Sequence, residues 1–480
     1  MNLYNLTFVF CLFISISTSC CSRNYTKLLC GWTSITVESL FGSITESLPP
    51  LDVEFRLYTR KNPSYYQSLV FGDESSIIQS NFLHETDTKF LIHGYTASAN
   101  QGFYLELKTA ILATRDINVI IVDWAEGASK FYYPGAITNS YRCGKEIAKM
   151  IEFLQNTANL KLSQVHLIGF SLGGQVAGFT GKRLNKVSRI SAIDPAGVCF
   201  DAFPVKYRLN RTDADFVDLL ITTAGEIGMV IPVGHINIYL NGGHIQPGCS
   251  GEVINRVRGD IFSSYAIIFD NCSHSFAIEF YKETILYPEC NPLAYRCSDY
   301  EKFLEGQCSN CGENGEDCTL AGIEAYEYRK YKEDVDRIFY IKTAGSSPFC
   351  LYHYQITIIL DTSQNNFTGV YGKSVLTFLG VGGKNITISN DRLDLYEPRK
   401  SYTHLMTSQY DILPATQAWF FWYFYPIYGK IPRNPQISLK RVELKPMNNI
   451  NRGELSSVYI FHTKEAQSIF PGEKITLFLK

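Results

Sequence analysis

Short apolar runs alternate with longer amphipathic stretches along the first part of the chain. Runs typical of buried strands occupy residues 89–92, 118–122, 165–168 and 188–193. Helical spacing marks residues 141–155 and 175–184. In the first of these stretches Ile147, Ile151 and Leu154 share one face. Strands that alternate with helices at this spacing predict a parallel sheet covered by helices on both faces.

The pattern changes after about residue 290, first to a cysteine-rich stretch over 290–318 and then to short alternating strands. Alternation of period two marks residues 337–341, 353–360, 375–379, 458–462 and 475–479. We therefore predict an α/β domain over 22–335, followed by a β-sandwich domain over 336–480.

The N-terminal segment and the cysteines predict an oxidising compartment. The apolar run 6–16 is followed by small residues, which is typical of a secretory signal peptide, here 1–21. The chain contains 14 cysteines, and in a secreted protein the four that lie in 297–318 favour disulfides over a zinc site. The cluster in 297–318 allows either Cys297 with Cys308 and Cys311 with Cys318, or Cys297 with Cys318 and Cys308 with Cys311. Asn-X-Ser/Thr sequons, which predict a glycoprotein, lie at Asn24, Asn210, Asn271, Asn366 and Asn385.

Composition narrows the choice of partners. A formal net charge of -2 with 19% charged residues argues against a nucleic-acid partner, which would require a basic surface. Aromatic residues reach 14%, and seven of them stand together in 419–425. A strand would turn half of these outward. Because Trp and Tyr favour membrane interfaces, we expect peripheral contact between this strand and a lipid surface.

The run Gly169-Phe170-Ser171-Leu172-Gly173 follows an apolar strand and precedes a small-residue helix. It fits the nucleophile elbow Gly-X-Ser-X-Gly, in which a sharp strand-to-helix turn lifts a serine oxygen above the sheet. Ser171 is therefore the candidate nucleophile.

A serine nucleophile requires an acid and a base that follow it in the chain. Asp194 ends the strand 188–193, so it is the candidate acid, with Asp218 as its rival. Asp123 precedes the serine, and Asp201 is a further competing carboxylate. The candidate base is His274, which lies beside Cys272 and opens a helix-like stretch, with His235 as the alternative.

Two further features complete the predicted site. The oxyanion hole requires two backbone N–H groups, for which Leu172 and Tyr95 are the candidates. His93 is interpreted as a residue that orders the loop before Tyr95. The loop between Cys249 and Cys272, which one disulfide would close, carries apolar residues at spacings of three and four. It is predicted to be a movable lid over 249–272.

The motifs resemble those of the pancreatic lipase family over nearly all of the mature chain. The matching runs are 92–95, 122–124, 169–174, 193–197, 234–237, 241–249 and 272–274. The resemblance implies an α/β-hydrolase domain and a C-terminal lipid-associating (PLAT-like) β-sandwich. It also implies a Ser171–Asp194–His274 triad, the Tyr95 and Leu172 oxyanion hole, and a lid over 249–272 that is closed by Cys249 and Cys272.

Within the family, two runs resemble a phospholipase A1 subgroup: Ile231-Pro232-Val233-Gly234-His235, which ends a short loop, and Gly345-Ser346-Ser347-Pro348-Phe349-Cys350. The resemblance implies hydrolysis of the sn-1 acyl ester of phospholipids at a lipid–water interface, without a cofactor. The lid is longer than in that subgroup, which keeps a triacylglycerol lipase as the alternative. A non-catalytic lipid-binding protein is the third reading.

A calcium site known in several family members is not expected in this chain. The acidic stretch that holds the ion in those members reads Arg208-Leu209-Asn210-Arg211-Thr212-Asp213, and Val205 stands where an acid is expected. Because calcium requires several oxygen ligands, the single carboxylate of Asp213 predicts that no metal is held there.

Overall fold

The computed structural model describes residue 41 and residues 48–129, 133–249, 271–290, 292–333, 335–362, 369–380, 383–390, 392–426, 435–447 and 457–480. They form two compact units. The first comprises the described residues up to Tyr239 and those within Gly243–Leu286 and Arg329–Arg337. The second comprises the described residues within Leu240–Gly242, Tyr287–Tyr328 and Ile338–Lys480. The domain boundary at 335/336 stays a prediction. The predicted signal peptide and lid residues 250–270 lie outside the described residues.

The first unit contains eight neighbouring strands of a mixed sheet. They are β1 (Glu54–Tyr58), β2 (Gln67–Leu69), β3 (Thr88–Ile92), β4 (Asn118–Asp123), β5 (Val165–Phe170), β6 (Val187–Ile193), β7 (Ala214–Ile221) and β8 (Ile236–Leu240). Their order is β2-β1-β4-β3-β5-β6-β7-β8. Six strands run parallel to one another, namely β4, β3, β5, β6, β7 and β8. Strand β1 is antiparallel to both of its neighbours, β2 and β4. The four strands predicted in this region are confirmed.

Helices connect these strands, as the alternating pattern predicts. They are α1 (Glu74–Ile78), α2 (Gly102–Thr114), α3 (Ala125–Ala128), α4 (Tyr133–Ala158), α5 (Leu172–Gly181) and α6 (Asn271–Leu286). Helix α5 is buried along its whole length and packs against α4, β5 and β6. Because parallel strands end at the same edge, the residues after β3, β5 and β6 lie together there.

The second unit is predominantly antiparallel. Its short elements are β9 (Leu293–Arg296), α7 (Tyr300–Leu304), β10 (Cys318–Leu320) and β11 (Arg337–Ile341). A nine-stranded sheet follows, with β12 (Tyr352–Leu360), β13 (Val370–Leu379), β14 (Asn385–Ser389), β15 (Asp394–Tyr396), β16 (Ser401–Ser408), β17 (Gln417–Phe424), β18 (Ile437–Pro446), β19 (Tyr459–Ile469) and β20 (Ile475–Leu479).

This sheet follows the order β14-β13-β17-β20-β19-β18-β12-β16, and β15 pairs with β13. Strands β14 and β16, at opposite ends of the order, also pack against each other. The sheet closes around a core that includes Ile356, Phe378, Phe420 and Trp422. An α/β-hydrolase fold followed by a C-terminal β-sandwich is therefore confirmed. No helix within the described ranges is both long enough and apolar enough to cross a membrane.

Candidate active site

Ser171 occupies a sharp turn between β5 and α5, with a backbone φ of 56° and ψ of −126°. The flanking glycines make this turn possible. A Cβ on Gly169 would lie 2.2 Å from the Gly173 carbonyl oxygen, and one on Gly173 would lie 2.2 Å from the Ile92 carbonyl oxygen. Any side chain at either position would collide with backbone. The strained φ at Ser171 is what places its side chain at the sheet edge.

The loop after β3 passes directly beside the serine. A Cβ on Gly94 would lie 2.8 Å from Ser171 Cβ, so only glycine allows this approach. The Gly94 N–H is used, since it donates to the Tyr104 hydroxyl oxygen at 3.2 Å. Tyr95 follows Gly94 immediately, and Leu172 begins α5 immediately after Ser171. The two backbone N–H groups predicted for an oxyanion hole therefore lie on segments that flank Ser171.

His93 links this loop to the end of β4 through contacts with Trp124. Its Nε2 accepts the Trp124 N–H at 3.0 Å, and its Nδ1 lies 3.1 Å from the Gly94 carbonyl oxygen. Because Nε2 is an acceptor, Nδ1–H donates to Gly94. The imidazole also stacks on the Trp124 ring, with centroids 5.4 Å apart.

Asp194 and His274 meet although they come from different elements. His274 Nδ1, at the start of α6, lies 2.7 Å from Asp194 Oδ2 at the end of β6. Asp194 also accepts the N–H groups of Thr222 at 2.8 Å and Thr223 at 3.1 Å, and the Thr223 hydroxyl at 2.5 Å. A carboxylate with this many donors only accepts, so the His274 Nδ1 carries the proton. The lone pair of Nε2 is then available to act as a base.

The rival residues have other partners. His235 Nδ1 accepts the Val217 N–H at 3.0 Å, and its ring stacks on Phe216. Asp218 forms a buried ion pair with Arg189, at 2.6 Å.

The other two carboxylates are also engaged. Asp123 pairs with Arg56 at 2.8 Å. Burial opposes ionisation of Asp123, but the hydrogen bond from the Ala125 N–H, together with the charge of Arg56, lowers its pKa. Asp201 accepts the Val230 N–H at 3.1 Å, and burial raises the pKa of this carboxyl group.

Gln175 connects the segments around the site. The sequence does not predict this role, because no local pattern marks the residue. It is fully buried on α5. Its amide nitrogen donates to the Ala196 carbonyl at 2.8 Å, and its carbonyl accepts the Leu209 N–H at 2.8 Å. The same nitrogen lies 3.3 Å from the Met229 sulfur. Three loops are thereby attached to the helix that begins after Ser171.

The single carboxylate of the stretch 208–213 forms an ion pair. Asp213 Oδ1 lies 2.6 Å from Lys182 Nζ, and Asp213 Oδ2 accepts the Asn210 N–H at 2.8 Å. The ammonium group of Lys182 thus lies against the single carboxylate of the stretch. These residues do not fit a calcium ion, because a cation already neutralises that carboxylate.

Four disulfides are present among the described residues. Cys249 pairs with Cys272 at the base of the predicted lid. In the cysteine cluster the first of the two alternatives is found, with Cys297 bonded to Cys308 and Cys311 bonded to Cys318. The fourth bond joins Cys290 to Cys350.

The elbow serine beside a bonded histidine–aspartate pair, at the carboxyl edge of a parallel sheet, defines an α/β-hydrolase. A family model described as Lipase matches residues 22–349. Pancreatic triacylglycerol lipase of Myocastor coypus is 31% identical over 396 residues, which cover 80% of this chain and 83% of that protein. Lipoprotein lipase of Gallus gallus is 35% identical over 331 residues, which cover 67% of this chain and 64% of that protein.

Pancreatic lipase-related protein 2 of Homo sapiens is 33% identical over 319 residues, 65% of this chain and 67% of that protein. A solved esterase from Pyrococcus furiosus aligns with 36% of this chain and 71% of its own at a TM-score of 0.23 and 16% identity. The chain belongs to the lipase family. As a member of this family it is a carboxylic ester hydrolase.

Proposed function

We propose that this protein is a secreted phospholipase A1, a serine esterase that removes the sn-1 acyl chain of phospholipids. Ser171 is the nucleophile, His274 the general base and Asp194 the acid that orients it. The observation that carries the catalytic part of the proposal is the 2.7 Å contact between His274 Nδ1 and Asp194 Oδ2, together with the elbow at Ser171. Secretion rests on the predicted signal peptide and agrees with the disulfides.

The proposed reaction uses these groups in two stages. Ser171 Oγ attacks the ester carbonyl carbon while His274 Nε2 takes the hydroxyl proton. The N–H groups of Tyr95 and Leu172 stabilise the negative charge that forms on the carbonyl oxygen. The C–O bond then breaks, and the lysophospholipid leaves with the proton from His274. Water attacks the acyl-enzyme by the same route, which releases the fatty acid and restores Ser171.

The choice of phospholipid rests on the loop 222–234. Its Gly228 N–H donates to the Thr223 carbonyl at 2.9 Å, and its Met229 N–H donates to the Pro195 carbonyl at 2.9 Å. The Val230 N–H donates to Asp201, at 3.1 Å. These hydrogen bonds hold the loop against the segment of Asp194, so that it does not extend over the site. A loop in this position leaves room for a polar head group at the entrance to the site.

Apolar side chains beside the site suit an acyl substrate. Val230 is 51% exposed and Ile245 is 63% exposed. Ile245 precedes Gln246, whose N–H donates to the Ser273 hydroxyl next to His274, at 2.9 Å. Exposed apolar groups of this kind lose contact with water when an acyl chain binds.

The aromatic strand of the second unit supports contact with a lipid–water interface. In β17, Phe420 and Trp422 point into the core, while Trp419, Phe421 and Tyr423 alternate on the other face. Lys474 Nζ lies 4.3 Å from the centre of the Trp419 ring. Aromatic side chains beside a lysine suit the head-group region of a membrane.

Within the family, the runs 231–235 and 345–350 resemble those of phospholipase A1 member A, the phosphatidylserine-type enzyme, which supports this choice of substrate. The second candidate is a triacylglycerol lipase, which is favoured by the length of the predicted lid. It is also favoured by the similarity to pancreatic triacylglycerol lipase of Myocastor coypus.

A lipid panel with the secreted protein tests the proposal. Wild type and Ser171→Ala are compared on phosphatidylserine, phosphatidylcholine and triolein, and both are treated with a fluorophosphonate probe. We expect phospholipid cleavage and labelling in wild type only. If triolein is cleaved far faster than every phospholipid, the protein is a triacylglycerol lipase. Labelling that survives in Ser171→Ala would reject Ser171 as the nucleophile.

A further inference from the structure

The imidazole of His274 is held at two places. Its Nδ1 contacts Asp194, and one face of its ring stacks on Phe170, with centroids 4.5 Å apart and planes inclined by 29°. Both rings are buried, with 7% of His274 and 8% of Phe170 exposed. Phe170 directly precedes Ser171, so the residue beside the nucleophile also touches the base.

Phe170 is the first member of a chain of aromatic contacts. Its ring meets Phe103 edge-on, with centroids 6.0 Å apart and planes at 83°. Phe103 packs against Tyr104 with centroids 4.3 Å apart, and the Tyr104 hydroxyl oxygen accepts the Gly94 N–H at 3.2 Å. Burial raises the pKa of Tyr104, so the phenol stays protonated. We call Phe170, Phe103 and Tyr104 the aromatic brace.

We propose that Phe170 is a positioning residue for the base, and that the aromatic brace couples His274 to the loop that carries the Tyr95 N–H. This inference rests on the proposed role of His274 as general base. Asp194 fixes one edge of the imidazole but leaves the ring free to swing about the Nδ1···Oδ2 line. A phenyl ring against the imidazole face opposes that swing and holds Nε2 in one orientation.

The test compares variants of Phe170 that lack an aromatic ring with variants that keep one. Phe170→Leu keeps an apolar side chain of similar size but removes the flat surface, whereas Phe170→Tyr and Phe170→His keep an aromatic ring. On a soluble short-chain p-nitrophenyl ester we expect Phe170→Leu to lower kcat about 10-fold with KM unchanged. At least one of the two aromatic replacements should restore most of kcat. Thermal midpoints and complete end-point labelling of Ser171 by fluorophosphonate confirm that each variant is folded.

A double-mutant cycle tests the coupling along the brace. Phe103→Leu should lower kcat in the wild-type background and have little further effect in Phe170→Leu, because the contact it supports is already lost. Independent multiplication of the two losses would overturn the brace as a coupled unit.

Two other results would overturn the positioning role. The first is an unchanged kcat in Phe170→Leu. The second is a raised KM with unchanged kcat, which would make Phe170 a wall of the acyl site. Failure of the phospholipase proposal gives a different result from failure of the positioning role. In that case the wild-type enzyme would still cleave soluble esters at Ser171 but would not cleave phospholipids.

Discussion

His274 Nδ1 lies 2.7 Å from Asp194 Oδ2, although 80 positions separate the two residues in the chain. The contact joins the start of α6 to the end of β6 and depends on the Thr222 and Thr223 N–H groups that hold the Asp194 carboxylate in place. It determines which imidazole nitrogen carries the proton.

Removing the base should abolish turnover without unfolding the protein. We expect His274→Ala to lose about 10³-fold or more in kcat, the scale for loss of a triad member. His235→Ala should retain turnover per folded molecule but lower the free energy of unfolding by about 1–3 kcal/mol, because the Val217 N–H loses its acceptor. Steady-state kinetics and thermal midpoints of the purified variants check both expectations. Exchanged phenotypes would show that the wrong histidine was chosen.

Asp194→Asn should lower kcat about 10³- to 10⁴-fold, because the amide can donate to Nδ1 and so favour the wrong tautomer of His274. Asp218→Asn is the matched control. It leaves Arg189 buried without its carboxylate, at a cost of about 3–5 kcal/mol in stability, but should spare kcat per folded molecule. Equal losses of kcat in the two variants would argue against Asp194 as the orienting acid.

A buried network beneath α6 predicts acid sensitivity. His166 lies 3.2 Å from Lys89 Nζ and 2.8 Å from Ser191 Oγ, and Ser191 Oγ lies 3.1 Å from Asp218. Burial, followed by the charges of Lys89, Arg189 and Arg115, lowers the pKa of His166 well below its ordinary value. Burial also raises the pKa of Tyr281, which faces the network, to about 12, so this phenol does not titrate near neutrality.

The stability of the protein depends on pH because the folded and unfolded chains bind different numbers of protons at His166. Below about pH 6.5 the unfolded chain binds a proton at His166 that the folded protein does not bind. The contribution of this residue to stability is therefore complete above pH 6.5 and falls by up to about 1.4 kcal/mol per pH unit below it. His166→Gln can keep both hydrogen bonds without titrating, so its thermal midpoint should fall less steeply between pH 6.5 and 5. Equal slopes in wild type and His166→Gln would contradict this account.

Calcium should not stabilise the protein. Lys182 already neutralises Asp213 at 2.6 Å, so we expect the same thermal midpoint in millimolar calcium and in chelator. Lys182→Met should lower that midpoint, because it leaves the Asp213 carboxylate buried without its partner. A calcium-dependent rise of the wild-type midpoint would contradict the prediction.

The sequence predicts the parts of the fold that depend on local pattern. Apolar runs locate β3 to β6, because burial on both faces leaves a continuous apolar strand, and helical spacing locates α4 and α5. The Gly-X-Ser-X-Gly spacing singles out Ser171, because only glycine fits so tight a turn. A strand end and a helix start are also local signals, and they made Asp194 and His274 candidates.

The remaining features depend on contacts between distant segments. In the sequence Phe170 is an ordinary strand residue, and its contact with His274 depends on the position of α6 in the fold. Gln175 is likewise an ordinary helix residue in the sequence, and its role depends on the three loops that its amide contacts. Lys89, His166 and Asp218 each interrupt an apolar strand, and only the strand order shows that their side chains form one network. The disulfide pairing in 297–318 likewise depends on which loop ends meet.

The most direct test of the proposed phospholipase A1 activity is to determine which acyl chain of a phospholipid the enzyme releases. Phospholipid labelled in its sn-1 acyl chain is presented in vesicles to the wild-type enzyme and to Ser171→Ala, and the released products are separated. The account predicts labelled fatty acid and unlabelled 2-acyl lysophospholipid from wild type, and neither product from Ser171→Ala. Label retained in the lysophospholipid, or equal release by Ser171→Ala, would contradict it.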